Sequence, residues 1–284
     1  ILSAVRQGRG DGAVGCGPIE LRRGLANSAR APPGIVEPFA QGSGLISALD
    51  CAEYILANRG KVGQGIALDV TVPSRNDARG LYIRDEIELG GPMTFGVRVL
   101  PRFDHSLQRT AGEMDELLSL ELDMMLRTSE SWVTCPDGMT LLSAKERNGQ
   151  TFSVRLDTKG LRPGVHFATV DAVDASDAGR GNLFSLPVTV VVPHSRFVSA
   201  DAPTFKLNDD EHVQLKDNGL DLSTTVELRQ GIPNRRFVTA PAGAEWATIK
   251  LKSGQPAASG ASPRILLHAI PFVRGDLPNT ECQL

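Results

Sequence analysis

The sequence is poor in the residue patterns that usually announce chemistry. Its five histidines (His105, His166, His194, His212 and His268) never form HxH, HExxH or HxxxH, so metal ligation has no support. Its four cysteines (Cys16, Cys51, Cys135 and Cys282) include no CxxC pair, which excludes a zinc ribbon or thioredoxin-type motif. Two disulfides in any of three connectivities are formally open, but the sparse spacing reads as free thiols. There is no Asn-x-Ser/Thr sequon, which agrees with a cytoplasmic protein. No apolar run approaches the roughly 18 residues of a membrane span. Charge of one sign is also missing. Lys plus Arg is 30 and Asp plus Glu is 33, for a net charge of −3, so nothing marks a nucleic-acid partner. The chain opens Ile1-Leu2-Ser3-Ala4-Val5, without Met or signal-peptide grammar, and reads as a piece of a longer protein.

What is present is ordinary globular material. Hydrophobic residues make up 41% of the 284, enough for a sizeable core, and 29 Gly with 18 Pro imply many turns. Residues 1–60 read as helical. Ile1–Gln7 has the look of a helix tail, followed by a glycine-rich loop to Pro18. A helix starts at Pro18, with Pro in its first turn, and stops by Ala31-Pro32-Pro33-Gly34. The Gln41-Gly42-Ser43-Gly44 turn leads to a helix over Ala48–Ala57, with Leu49, Ala52, Ile55 and Leu56 on one face.

From about residue 61 the period changes to two. Ile66, Leu68, Val70 and Val72 alternate, as do Leu118, Leu120, Leu122, Met124 and Leu126, and then Phe152, Val154 and Leu156. Leu183–Val192 is continuously apolar, the pattern of a strand buried on both faces, with Pro187 pushing it toward an edge or a bulge. Asp137-Gly138, Asn148-Gly149, Lys159-Gly160 and Pro163-Gly164 punctuate these runs. Short strands with frequent turns predict a mainly β chain with an immunoglobulin-like β-sandwich at residues 61–197. Beyond Pro193 a polar stretch passes through Asp209-Asp210-Glu211 to Asn218-Gly219. Strands are then expected at Arg235–Thr239, Trp246–Leu251 and Arg264–Val273. They would begin a second, incomplete β domain over 198–284.

Each candidate for chemistry has a plainer reading. Gly10-Asp11-Gly12-Ala13-Val14-Gly15 matches GxGxxG, but a helix end precedes it instead of a strand, so a nucleotide site is not expected. Arg9-Gly10-Asp11 is a chance tripeptide in a surface loop. Asp171, Asp174 and Asp177 recur every third residue, the wrong spacing for an EF-hand, and read as a solvated loop. His268 reads as a sheet residue and His212 as part of a solvated turn. No Gly-x-Ser-x-Gly elbow exists. No catalytic, cofactor-binding or metal-ligating residue is assigned, and no cofactor is expected.

Phe39-Ala40-Gln41-Gly42-Ser43-Gly44-Leu45-Ile46-Ser47-Ala48-Leu49-Asp50-Cys51-Ala52 resembles the closing segment of a subtilisin-like catalytic domain. There, glycines allow a turn to pack the last helix closely onto the domain. Further segments resemble the tripeptidyl-peptidase II family, in order and with compatible gaps. They are Gly80-Leu81-Tyr82-Ile83-Arg84-Asp85, Ser131-Trp132-Val133-Thr134-Cys135-Pro136, Gly160–His166, Arg235–Ala247 and Leu266-Leu267-His268-Ala269.

The resemblance implies a large cytoplasmic serine exopeptidase that removes tripeptides from free N-termini of oligopeptides and forms a large homo-oligomer. It places the nucleophile and its partners upstream of Ile1. Residues 1–60 would then be the helical C-terminal end of a subtilisin-like α/β domain, and the segment's own role would be structural. The alternative is that residues 61–284 form a non-catalytic module binding peptide or carbohydrate. Trp132, Trp246, Tyr82 and Phe103 are the aromatics that would serve it; clustered, exposed rings would favour binding and buried ones would favour scaffolding.

Overall fold

A computed structural model describes residues 17–33, 37–59, 61, 66–103, 119, 121–142, 149–216, 219–229, 232–241, 243–245, 247–252, 268–269 and 282–283. The Ile1–Gln7 helix, the GxGxxG run, Leu118, Leu120, Trp246 and Arg264–Leu267 lie outside them. The chain divides into two compact units, Ile1–Pro241 and Ala242–Leu284.

In the first unit, helix α1 (Pro18–Asn27) has Pro in its first turn, and its Glu20 carboxylate accepts the Gly17 N–H at 3.1 Å. Helix α2 (Pro38–Gln41) is a single turn. Helix α3 (Ala48–Ala57) starts at Ser47, whose hydroxyl accepts the Asp50 N–H at 3.4 Å. Its buried face is Cys51, Ala52 and Ile55; Leu49 and Leu56 are 67% and 40% exposed, against the expected face. The cause is the crossing point with α1. A Cβ on Gly24 would lie 3.0 Å from Ile55 Cγ1 and 3.1 Å from Cys51 Sγ, so this contact sets the rotation of α3. Gly44 returns the chain to the start of this layer. Its φ is +111°, and a Cβ there would meet the Arg30 carbonyl oxygen at 2.4 Å, so the bridge between Arg30 and Leu45 demands glycine.

The sandwich has two sheets. The first runs β1 (Ile66–Thr71), β3 (Met93–Phe103), β7 (Gln150–Leu156) and β5 (Val133–Thr134), all antiparallel. The second runs β2 (Leu81–Ile83), β9 (Asn182–Val192), β8 (Gly164–Asp174), β4 (Glu121–Thr128) and β6 (Gly138–Leu142). It is antiparallel except for the β2–β9 pair. A single-turn helix, α4 (Glu86–Leu89), lies between β2 and β3. Alternate residues fill one core from both sheets: Phe95, Val97, Val99, Phe152, Val154 and Leu156 from one, and Leu122, Met124, Leu126, Leu186, Val188 and Val190 from the other. Phe152 and Phe184 stack across the interior at 6.2 Å between centroids. The expected alternations at Ile66–Val72, Leu122–Leu126 and Phe152–Leu156 are therefore the core positions.

Four expectations are corrected. Leu183–Val192 is not buried on both faces throughout, because Ser185 and Pro187 point outward and are exposed. Nor is β9 an edge: it pairs with β8 on one side and β2 on the other. Pro187 is tolerated because the β2 ladder begins only at Leu81↔Val188. The register shift lies instead opposite the end of β8, at Ala172/Val173. Asp171 and Asp174 are not in a solvated loop but on β8, with Asp174 buried. Arg235–Thr239 is irregular backbone, as are the described residues 247–251.

A further correction concerns the polar stretch after Pro193, which forms a third sheet of β10 (Thr204–Asn208), β11 (Glu211–Lys216) and β12 (Gly219–Thr224). His212 therefore sits in a strand, between Lys206 and Ser223. Only Glu211 and Val213 of this sheet are fully buried, so its apolar signal is thin. In the second unit the described strands are β13 (His268–Ala269) and β14 (Cys282–Gln283), an antiparallel pair.

Leu186 is completely buried at the centre of the second sheet. Leu186→Ala is expected to cost about 2–5 kcal/mol, the sum of lost burial and a residual cavity, measured by urea unfolding.

Candidate functional site

The described residues that bring polar chemistry together most densely lie where the helices meet the sandwich. Asn27, the last residue of α1, uses its whole amide. Nδ2 donates to the Asn182 carbonyl at 3.0 Å and to the Tyr54 hydroxyl at 3.1 Å, and Oδ1 accepts the Asn182 N–H at 2.9 Å. Tyr54, on α3, donates its hydroxyl to the Arg180 carbonyl at 2.5 Å. Gly181 sits between these partners at φ +71°, and a Cβ there would be 2.8 Å from Asn27 Cγ. Arg23, on the buried side of α1, donates to the Ile66 carbonyl at 2.6 Å, where β1 begins. Burial pulls the Arg23 guanidinium below its ordinary value. Lys61 and Asp177 pair at 2.6 Å beside them.

Beneath this junction is a buried ion pair. Arg180 Nη1 meets Asp174 Oδ2 at 2.5 Å, and both side chains are about 5% exposed. Ser176 adds its N–H at 2.9 Å and its hydroxyl at 2.6 Å, both to Oδ1 of Asp174. Burial alone would raise the Asp174 carboxyl, but the Ser176 and Arg180 donors outweigh it and hold the group below the usual carboxylate range. The Arg180 Nε and Nη2 atoms are buried without a hydrogen-bond partner among the described residues. The strand end is thus fixed by charge as well as by packing.

This arrangement can hold two layers in register. Among the described residues, no three or more His, Cys, Asp or Glu side chains converge as a metal site would require. Asp171 and Asp174 are placed on one strand, while Asp177 pairs with Lys61 beyond it. His166 Nε2 lies 2.7 Å from the Arg162 carbonyl, and His212 is half-buried on β11. His105, and the side chain of His268, fall outside the description. Cys51 and Cys135 are free thiols, each raised above its ordinary value by burial.

Of the aromatic candidates, the side chains of Trp132 and Tyr82 are among those described. Trp132 is half-buried against the sandwich core. Tyr82 is 49% exposed on β2, with the Arg84 guanidinium 5.7 Å from its ring centre. Phe103 ends β3, and its side chain, like Trp246, is outside the description. Among the described residues, no helix is long and apolar enough to cross a membrane.

Sequence reasoning assigned no role to Asn27, Tyr54, Arg180 or Asn182, since no local motif links positions so far apart in the chain. It also missed a second buried polar group, His194 with Glu211. One signal for it was present: Glu211 lies two residues before Val213 and so shares the inward face of any strand drawn there.

Comparison with known proteins fixes the context. Residues 66–191, the span of the two sheets, match the family described as tripeptidyl-peptidase II, first Ig-like domain. The sandwich belongs to the tripeptidyl-peptidase II family. Over 239 residues the chain is 26% identical to the tripeptidyl-peptidase 2 of Drosophila melanogaster, covering 84% of this chain and 15% of that protein. Over 272 residues it is 28% identical to the Caenorhabditis elegans protein of the same name, covering 94% and 17%. A crystal structure of tripeptidyl peptidase 2 superposes with a TM-score of 0.57 at 25% identity, covering 74% of this chain and 16% of that one. The chain therefore spans about one-sixth of the length of these relatives. Two of the matches reach well past residues 66–191, as the ordered resemblances implied.

Asp174→Asn is expected to cost about 3–5 kcal/mol, because it leaves the Arg180 charge buried without its partner. The sign with pH follows from the lowered carboxyl. Its stabilisation is present above the unfolded value of about 3.9 and is lost as pH falls through the folded one. Chemical unfolding between about pH 2 and about pH 7 should show a shallower acid limb in Asp174→Asn than in the parent chain.

Proposed function

We propose that this chain is a non-catalytic part of a tripeptidyl-peptidase II-type serine exopeptidase, in which the sandwich buttresses the end of the catalytic domain. On this reading residues 1–60 close a subtilisin-like domain, residues 61–197 are the sandwich, and residues 198–284 begin a second β domain. The whole enzyme removes tripeptides from the free N-termini of oligopeptides, works in the cytoplasm and assembles as a large homo-oligomer. Its chemistry is acyl transfer to a serine, with a histidine base and an oxyanion hole, and the residues for it belong to other parts of the whole protein.

The observation that carries the proposal is the Asn27–Tyr54–Arg180–Asn182 junction. It bonds a helical layer to a sandwich that matches the family. The same layer leaves Leu45, Ile46 and Leu49 at 53%, 69% and 67% exposure. Exposed apolar side chains of that kind suit further contacts with the rest of a larger protein.

Two measurements test the proposal. The pure chain should release no tripeptide from a fluorogenic tripeptide substrate; turnover abolished by a serine-hydrolase inhibitor would overturn the non-catalytic role. In the full-length enzyme, Asn27→Ala combined with Tyr54→Phe should shorten the half-life of activity on heating by about tenfold or more, with KM unchanged. That factor corresponds to losing a few hydrogen bonds of about 1 kcal/mol each, partly replaced by water. An unaltered half-life would remove the buttressing role.

A further inference from the structure

Arg180 ends the short 3-10 turn Ala178–Arg180 between β8 and β9, and it is 4% exposed. Its guanidinium is only half used. Nη1 meets Asp174 Oδ2 at 2.5 Å. Nε and Nη2 are closed to solvent and have no hydrogen-bond partner among the described residues. These two nitrogens lie side by side on the planar group. Together they make the side-on fork that takes both oxygens of a carboxylate through two parallel N–H···O bonds.

Asp174 does not serve that fork. Its Oδ2 is on Nη1, and its Oδ1 accepts the Ser176 N–H at 2.9 Å and the Ser176 hydroxyl at 2.6 Å. Asp177, in the same loop, pairs with Lys61 at 2.6 Å. A second guanidinium adds positive charge to the neighbourhood. Arg23 is 9% exposed on α1 and donates to the Ile66 carbonyl at 2.6 Å. Burial first, and then the nearby Arg180 charge, pull Arg23 below its ordinary value. An unmet donor on a buried charged group is costly, so an acceptor of opposite charge at the fork is favoured twice, by hydrogen bonding and by charge.

We propose that the side edge of Arg180 is a carboxylate-binding site at the junction of the helical layer and the sandwich. One carboxylate, held by Nε and Nη2, completes the guanidinium on the edge that Asp174 leaves open. Two sources share this chemistry: a small free carboxylate, and an acidic side chain from another segment of the whole protein. The Arg180 carbonyl accepts the Tyr54 hydroxyl, and Asn182, two residues on, bonds Asn27. Filling the fork therefore tightens the loop to which both helices are bonded, and ligand binding is linked to their attachment. The site stands on the Arg180 geometry and does not depend on the chain's place in a larger peptidase.

The probe is sodium acetate, titrated into the whole chain against sodium chloride at constant ionic strength and fixed neutral pH. The arginine Nε–H signals are followed by nitrogen-15 NMR, with that of Arg180 assigned through its own side chain. It should move saturably with acetate and not with chloride. Amide protection at residues 180–182 should rise in step, about tenfold once acetate reaches about ten times its Kd, while residues 150–156 stay flat. Arg180→Lys keeps a positive charge beside Asp174 but has no fork, and should not respond. In the full-length enzyme, a response to acetate assigns the site to a free ligand. Protection there that is already high, unaffected by acetate and lost in Arg180→Lys assigns it to an acidic side chain. A parent chain whose Arg180 signal and protection ignore acetate, as they do if water alone meets the fork, overturns the proposal. So does a protection response that survives in Arg180→Lys.

Discussion

The attachment of the helical layer to the sandwich runs through a small set of side-chain hydrogen bonds centred on one amide. Asn27 ends α1 and spends its carbonyl and both its amide contacts on Asn182 and Tyr54. The packing of α3 on α1 through Gly24 is small, a cluster of three buried residues, and would not by itself fix the pair to anything else. The polar bonds supply direction where the apolar contact supplies little area. Glycine at 181 is what lets the β9 entry come close enough to receive them.

Behind that contact the strand is immobilised in two ways. Apolar alternation locks β9 into the sandwich core, and Asp174 with Arg180 pins the loop that delivers Asn182. A buried ion pair is weak evidence for net stability, but it is a strong constraint on geometry, since neither charge tolerates separation. The loop between β8 and β9 is therefore rigid enough to serve as a docking platform. Such a platform suits the proposed role of the sandwich, which would hold a neighbouring domain in place.

Much of the sandwich was legible in the sequence because its strands obey a period of two. Phe152, Val154 and Leu156 are core residues for the reason their spacing implies, and Ala48–Ala57 is a helix over the span its pattern marks. The failures have physical causes. The rotation of α3 was misjudged because a close crossing at Gly24, not the count of leucines, chooses its buried face. Strands β10 to β12 escaped notice because their inward positions include Glu211, a charged residue whose partner His194 lies in a different segment. The expected strand at Arg235–Thr239 has apolar residues but makes its bonds to Ser195 and His194 instead of a ladder. The junction had no sequence signature, since Asn27 and Asn182 become neighbours only through the fold.

The most direct measurement of the coupling between layers is amide hydrogen exchange at residues 48–57 in the parent chain and in Asn27→Ala. If the sandwich holds the helices through Asn27, exchange there should accelerate by about tenfold or more, corresponding to about 1.4 kcal/mol, while residues 150–156 stay unchanged. Equal protection of residues 48–57 in the two chains would contradict the buttressing role of the sandwich.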